Sequence, residues 1–211
     1  MIKGLSREAK AELLLFILAM IWGGSFVAAK FSMTAFDPYY VCLLRYGLGF
    51  LVLWFLFPKE RKKLDKPTLI GGLEVGILLG VGTAFQMVGL KYTTPANQTF
   101  IIVSYVITVP LLNFIISKVR PGGHILVAAV FTVIGVGFLT LGPGTGFNIG
   151  DGMTFIMALL FALQILCIDH WMPKVTSSIM FTAAQFFAAT VISVILFFIN
   201  GRTMYTGEIT A

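Results

Sequence analysis

IWGGSFVAAK, residues 21–30, places a tryptophan, two glycines, a serine and a closing lysine inside a stretch that is otherwise hydrocarbon. From Leu13 to Ala29 no residue carries a charge, and the run LLLFILAM leads directly into the motif. Such a length approaches the roughly 20 apolar residues that cross a bilayer core as a helix. Small and polar side chains inside a span are tolerated where they face other helices or water. The stretch therefore reads as a helix that packs on one side and meets a polar path on the other.

The rest of the chain keeps that character. Of its 211 residues, 58% are hydrophobic and only 11% charged, with a mean hydropathy of +0.95. Soluble domains carry about 45–50% apolar and about 25% charged residues, so a water-soluble globule and a disordered chain are both excluded. Long unbroken apolar runs also exclude a β-barrel, whose strands alternate over about ten residues. The fold class expected is an all-α polytopic membrane protein. The net charge of +6 points to membrane anchoring rather than nucleic acid, because the cations sit in short segments between apolar runs. Cys42 and Cys167 both fall inside apolar runs and read as small buried side chains, not a disulfide.

Seven spans are expected, at 13–29, 39–57, 68–90, 96–117, 125–141, 153–171 and 179–199. The first resembles a signal peptide in its basic start and its Val27-Ala28-Ala29 ending, but it is too long and further spans follow. Asp37-Pro38 and the segment from Tyr92 to Pro95 read as turns, and PKERKKLDKP at 58–67 is the most charged stretch. The glycine-rich GPGTGFNIGDG at 142–152 lacks the Gly-Lys-Ser/Thr ending of a phosphate loop and reads as a connection between helices. Lys3, Arg7, Lys10, the cations of 58–67, Lys118, Arg120 and Lys174 alternate with connections holding only Lys30, Lys91 and Arg202. That asymmetry predicts a cytoplasmic N-terminus and, after seven spans, an outer C-terminus.

A shift of about 139 residues lays AMIWGGSFVAAK over ALLFALQILCID, and one more residue of offset pairs Arg45 with Gln185. Five spans separate the copies, so the second would be inverted, as in secondary transporters with a midplane site between halves.

Trp-Gly-Gly-Ser-Phe with Lys30, Arg45-Tyr46, residues 89–96 (GLKYTTPA) and Pro110 together resemble the drug/metabolite transporter superfamily, specifically its EamA group. The resemblance runs along essentially the whole chain. It implies ten helices in two inverted five-helix repeats, and transport of amino acids, related metabolites, nucleotide sugars or toxic compounds. Residues 1–142 would then form the first repeat and 151–211 two helices of a partial second. The chain is expected to be part of a ten-helix protein in a bacterial or archaeal cytoplasmic membrane.

Placed by depth, Arg45 lies roughly 9 Å below the outer end of its span. Ser25, Lys30, Gln86, Asn97 and Gln98 share its half, while Gln164, Asp169 and Gln185 fall in the inner half. Trp22, Ser25, Lys30, Arg45, Gln86, Asn97, Gln98, Gln164 and Gln185 are the candidate substrate contacts. Each has a plainer role: Lys30 as a snorkelling end charge, Arg45 as a cap on backbone carbonyls, Trp22 as packing, the amides as interhelical hydrogen-bond partners. An arginine offers a planar fork to a carboxylate. Glu74, within a span yet about two turns from its inner end, is the candidate for proton coupling. Gly72, Gly76 and Gly80 predict a smooth helix-packing face, and Pro110 a fixed bend or hinge.

The function expected is a secondary transporter of small metabolites working by alternating access. The alternatives are a channel or a non-transporting assembly protein. An enzyme is disfavoured: His124 and His170 sit at span ends, and neither a metal-binding motif nor a Walker motif occurs. No metal or cofactor is expected. The partners expected are a small-molecule substrate and the lipid bilayer, without nucleic acid, and a homodimer is left open.

Overall fold

The computed structural model describes residues 6–118, 120–140 and 148–200. Lys3, most of the 142–152 connection and the tail with Arg202 lie outside the described residues. The elements are α1 (Arg7–Ser32), α2 (Pro38–Leu56), the short α3 (Pro58–Arg61), α4 (Lys66–Tyr92), α5 (Pro95–Val103), α6 (Tyr105–Ser117), α7 (Gly123–Thr140), α8 (Ile149–Trp171), a 3-10 turn (Met172–Lys174) and α9 (Ser178–Ile199). Among the described residues there is no strand.

Local chemistry starts these helices where they start. Asp37 accepts the amide protons of Tyr39 and Tyr40 with Pro38 at the first helical position of α2. Thr94 does the same for Asn97 ahead of Pro95, and Asp65 for Thr68. These are side-chain caps on orphan amides, with proline where no amide is needed. The glycine-rich connection ends earlier than the sequence suggests: α8 opens at Ile149 through a reciprocal capping box between Asn148 and Asp151. The fourth expected span is one apolar stretch but two helices, broken at Ser104, whose amide bonds the Ile101 carbonyl in a tight 3-10 turn. Pro110 lies inside α6.

Among the described residues, six stretches are long and apolar enough to cross a membrane: Ala11–Ser32, Pro38–Leu56, Lys66–Tyr92, Pro95–Ser117, Ile149–Lys174 and Ser178–Ile199. At the position of the remaining expected span lies α7, whose apolar part Gly123–Gly135 is shorter. Leu14, Phe16, Phe55 and Ile199 stand exposed, as suits a surface in contact with lipid rather than water.

The bundle is built around α4. Its Gly72, Gly76 and Gly80 face α9, and their neighbours there ascend in step: Ala184, then Gln185 and Ala188, then Ala189 and Ile192. The two helices are therefore parallel. On another side of α4, Gly71, Gly82 and Gly89 meet Trp171, Phe161 and Thr154 of α8 in descending order, so that pair is antiparallel. α2 crosses α9 antiparallel, with Tyr40 against Phe197, Tyr46 against Phe186 and Phe50 against Phe187. Cys42, Tyr46, Met87 and Ala189 form the buried centre, and only Ala29 and Met33 of the α1 end reach it. Around Gly23 and Gly24 nothing approaches within 4 Å of a would-be Cβ.

Because α4 and α9 are parallel, their positive N-terminal ends lie side by side, and carboxylates gather there. Ser177 Oγ donates to Glu60 at 2.6 Å and Thr176 Oγ1 to Asp65 at 2.5 Å, while the Thr176 amide reaches Thr68 Oγ1 at 3.2 Å. Donation from Lys63 and then Ser177 holds Glu60 below the usual carboxylate range, and donation from Thr176 and Thr68 does the same for Asp65.

Two outcomes follow. A Cβ on Gly76 would sit 2.5 Å from the Gln185 carbonyl oxygen and 2.7 Å from the Ala188 Cβ. Gly76→Leu should therefore cost about 3 kcal/mol or more by over-packing, whereas Gly24→Ala should be near neutral, read by unfolding in mixed micelles. Depressed carboxylates stabilise the fold above the ordinary carboxylate pKa and lose that contribution as pH falls through their lowered values. On acidification below about pH 4, the Glu60→Gln/Asp65→Asn double variant should lose less stability than the parent.

Candidate polar site along the central helix

On the C-terminal half of α4 the selected amides converge. Gln98, 0% exposed, donates from Nε2 to the Gln86 carbonyl at 2.8 Å and to Thr154 Oγ1 at 3.3 Å. The Thr154 hydroxyl is itself committed to the Gly150 carbonyl at 2.8 Å, so its oxygen accepts from Gln98. Three helices, α4, α5 and α8, are thus joined by one side chain. Gln98 Oε1 and Asn97 Oδ1 are buried without a protein donor. Buried carbonyls ordinarily find a donor, so these two acceptors are open to a water or a ligand.

One turn further on, Thr93 Oγ1 donates to the Asp151 carboxylate at 2.5 Å. Asp151 is only 3% exposed and takes the Asn148 amide on its other oxygen at 2.9 Å. Sequence reasoning missed Asp151 and Thr93 because it placed residue 151 in a loop. The signal available was Asn148 three residues ahead of Asp151 at the head of an apolar run. Beside them Lys30 Nζ donates to the backbone carbonyls of Leu90, Lys91 and Thr93, the last at 2.9 Å. An ammonium on the last carbonyls of a helix satisfies orphan acceptors and meets the negative end of its dipole.

Arg45 sits on α2 with its guanidinium exposed, 5.7 Å from the ring centroid of Tyr46. Tyr46 is buried and its hydroxyl lies 2.6 Å from Thr83 Oγ1, a polar bond between α2 and α4. Ser25 on α1 donates to the Trp22 carbonyl at 2.7 Å, and Trp22 itself is 59% exposed. Neither is brought against the amides.

The other half of α4 holds the remaining candidates. Gln185 is buried on α9, with its backbone packed at Gly76, and Gln164 is buried on α8 one turn from Phe161, which packs at Gly82. Glu74 is exposed, receiving the Trp171 indole proton at 2.9 Å and facing the Cys167 thiol at 3.9 Å. The structure thus splits the selected residues into two groups at different heights along α4. Between α4, α8 and α9 a cleft of about 290 Å³ is lined by Val81, Phe85, Met153, Ile192 and Leu196, with the Tyr39 ring at its edge. It holds none of the selected residues, because it opens on the apolar side of α4. Among the described residues, no group of three or more His, Cys, Asp or Glu side chains could hold a metal ion.

Residues 9–141 match the EamA-like transporter family. An uncharacterized transporter of Archaeoglobus fulgidus is 31% identical over 187 residues, which cover 87% of this chain and 56% of that protein. A second uncharacterized transporter of the same organism is 28% identical over 142 residues, 63% of this chain and 48% of its own length. The chain spans about half the length of the curated relatives it matches.

Removing the Gln98 amide should loosen the α4–α5–α8 junction. Gln98→Leu is expected to cost about 1 kcal/mol, the scale of an interhelical hydrogen bond in a bilayer. Trp22→Phe, which removes no described contact between helices, should leave the same unfolding curve unchanged.

Proposed function

Because the chain belongs to the EamA-like transporter family, we propose that it forms part of a secondary transporter for small carboxylate-bearing metabolites, amino acids or related compounds. In this reading the protein works by alternating access, by efflux, across a bacterial or archaeal cytoplasmic membrane, with its N-terminus inside. The two groups of polar residues on α4 would be the outer and inner parts of the path, in two inverted repeats.

The observation that carries the reading is Arg45. A guanidinium at this depth is costly against lipid, so its face of α2 belongs to a water-filled path or a partner surface. It is exposed, 5.7 Å from the Tyr46 ring centroid, and its planar fork suits a carboxylate. Gln86, Asn97 and Gln98 supply amide groups in the same half, with unfilled acceptors that suit an ammonium or hydroxyl on the same substrate. Lys30, Ser25 and Trp22 on α1 border that half, and Gln164 and Gln185 serve the other. Glu74 is our candidate for the coupling proton. The two Archaeoglobus fulgidus homologues are uncharacterized transporters, so the substrate class rests on Arg45 and the amides.

Counterflow in proteoliposomes containing the full chain, with pooled labelled amino acids and metabolites, tests it. Saturable exchange of a carboxylate-bearing pool is expected. Absence of exchange from protein shown to be folded overturns the carrier reading in favour of a channel or an assembly protein. Arg45→Ala should fold, since it removes only a ring contact, and should lower kcat/KM by about 10- to 100-fold, the value of a hydrogen bond to a charged group. Parent-like kinetics in that variant would remove Arg45 from the site.

A further inference from the structure

One end of the bundle carries more cationic chemistry than the transport reading uses. At the N-terminal end of α4, the connections before α4 and before α9 are joined by the Glu60–Ser177 and Asp65–Thr176 bonds. The two connections and the helix turns beside them hold Lys59, Arg61, Lys62, Lys63, Lys66 and Lys174 against four acids, Glu60, Asp65, Glu74 and Asp169. The alternation of cations along the sequence assigns Lys118 and Arg120 to the same membrane face.

Three of those acids are already engaged. Glu60 takes Lys63 and Ser177, Asp65 takes Thr176 and Thr68, and Glu74 takes the Trp171 indole. Of the cations only Lys63 is spent on an acid. Two others ride on tryptophans: Arg61 lies 5.4 Å from the Trp54 ring centroid and Lys174 5.1 Å from that of Trp171, with its Nζ 2.7 Å from His170 Nε2. Trp54 sits in the last turn of α2 and Trp171 closes α8, the level at which apolar helix gives way to polar connection. Tryptophan at that level marks the membrane interface. A cation stacked on a ring keeps N–H groups that can donate to a phosphate at that level.

We propose that this end of the bundle binds anionic phospholipid head groups, with Arg61 on Trp54 and Lys174 on Trp171 as its two seats. A soluble polyanion is the poorer fit, because both stacked cations sit on tryptophans at the ends of apolar helices, where lipid head groups lie. Each cation near an anionic surface is worth roughly a fivefold gain in affinity. The proposal stands independently of any substrate.

Quenching of tryptophan fluorescence by brominated lipids reads it directly. In the Trp22→Phe background only Trp54 and Trp171 remain. Brominated phosphatidylglycerol is expected to quench them with several-fold higher relative affinity than brominated phosphatidylcholine. Arg61→Gln/Lys174→Gln should bring that ratio to about one, and Arg61→Lys/Lys174→Arg should retain it. Circular dichroism checks folding; if the double variant does not fold, Arg61→Gln and Lys174→Gln singly should each lower the ratio. Equal quenching by the two lipids in the Trp22→Phe background overturns the proposal, as does an unchanged ratio in the folded glutamine variants. Loss of the preference on adding inorganic phosphate at constant ionic strength would overturn it too, by assigning the seats to a free anion.

Discussion

Everything in this bundle depends on how closely α8 and α9 approach α4. In lipid there is no hydrophobic gain from bringing apolar helices together, so association rests on packing contacts and interhelical hydrogen bonds. Glycine serves both needs. At Gly72, Gly76 and Gly80 the α9 backbone comes so near that a single added Cβ would strike main-chain atoms. At Gly89 the same closeness to Gly150 and Thr154 brings polar groups of α8 within reach of the α4 end. The hydrogen bonds of Gln98 and Thr93 exist because the backbones are already in contact.

Polarity in the bundle is arranged by that packing. Gln98, Thr154 and Asp151 are buried, and each is committed to partners on other elements or to its own cap. Arg45 is the counter-case, a charge within a span whose side chain is exposed, 5.7 Å from the Tyr46 ring centroid.

Much of this was legible in the sequence. Apolar runs of about twenty residues located the helices, since bilayer thickness imposes their length, and Asp37-Pro38 and Thr94-Pro95 gave their starts through capping chemistry. The spacing of Gly72, Gly76 and Gly80 announced a packing face, though not that α9 would fill it, because one helix face carries no information about its partner. The break at Ser104 was not legible: residues 100–112 hold only serine, tyrosine and threonine among apolar side chains, with no glycine, and Pro110 stands six residues away. Lys30 illustrates the other gap. Its position at a span end was plain, but its partners are backbone carbonyls, which have no sequence signature. Asp151 escaped because glycine content outweighed a cap signal.

Among the described residues, the hydrogen bonds that tie α1 to another helix all come from Lys30, near its C-terminal end. Upstream of that tie no residue of the span is fully buried, and around Gly23 and Gly24 nothing approaches within 4 Å of a would-be Cβ. Mechanically α1 resembles a lever with its fulcrum at the C-terminal end, where Lys30 bonds and Ala29 and Met33 pack. From Arg7 to Lys30 it spans about 35 Å, so a tilt of roughly 10° at the fulcrum sweeps the far end through about 6 Å. Displacements too small to disturb three carbonyl contacts at one face of a membrane are thereby magnified into side-chain-sized movements at the other.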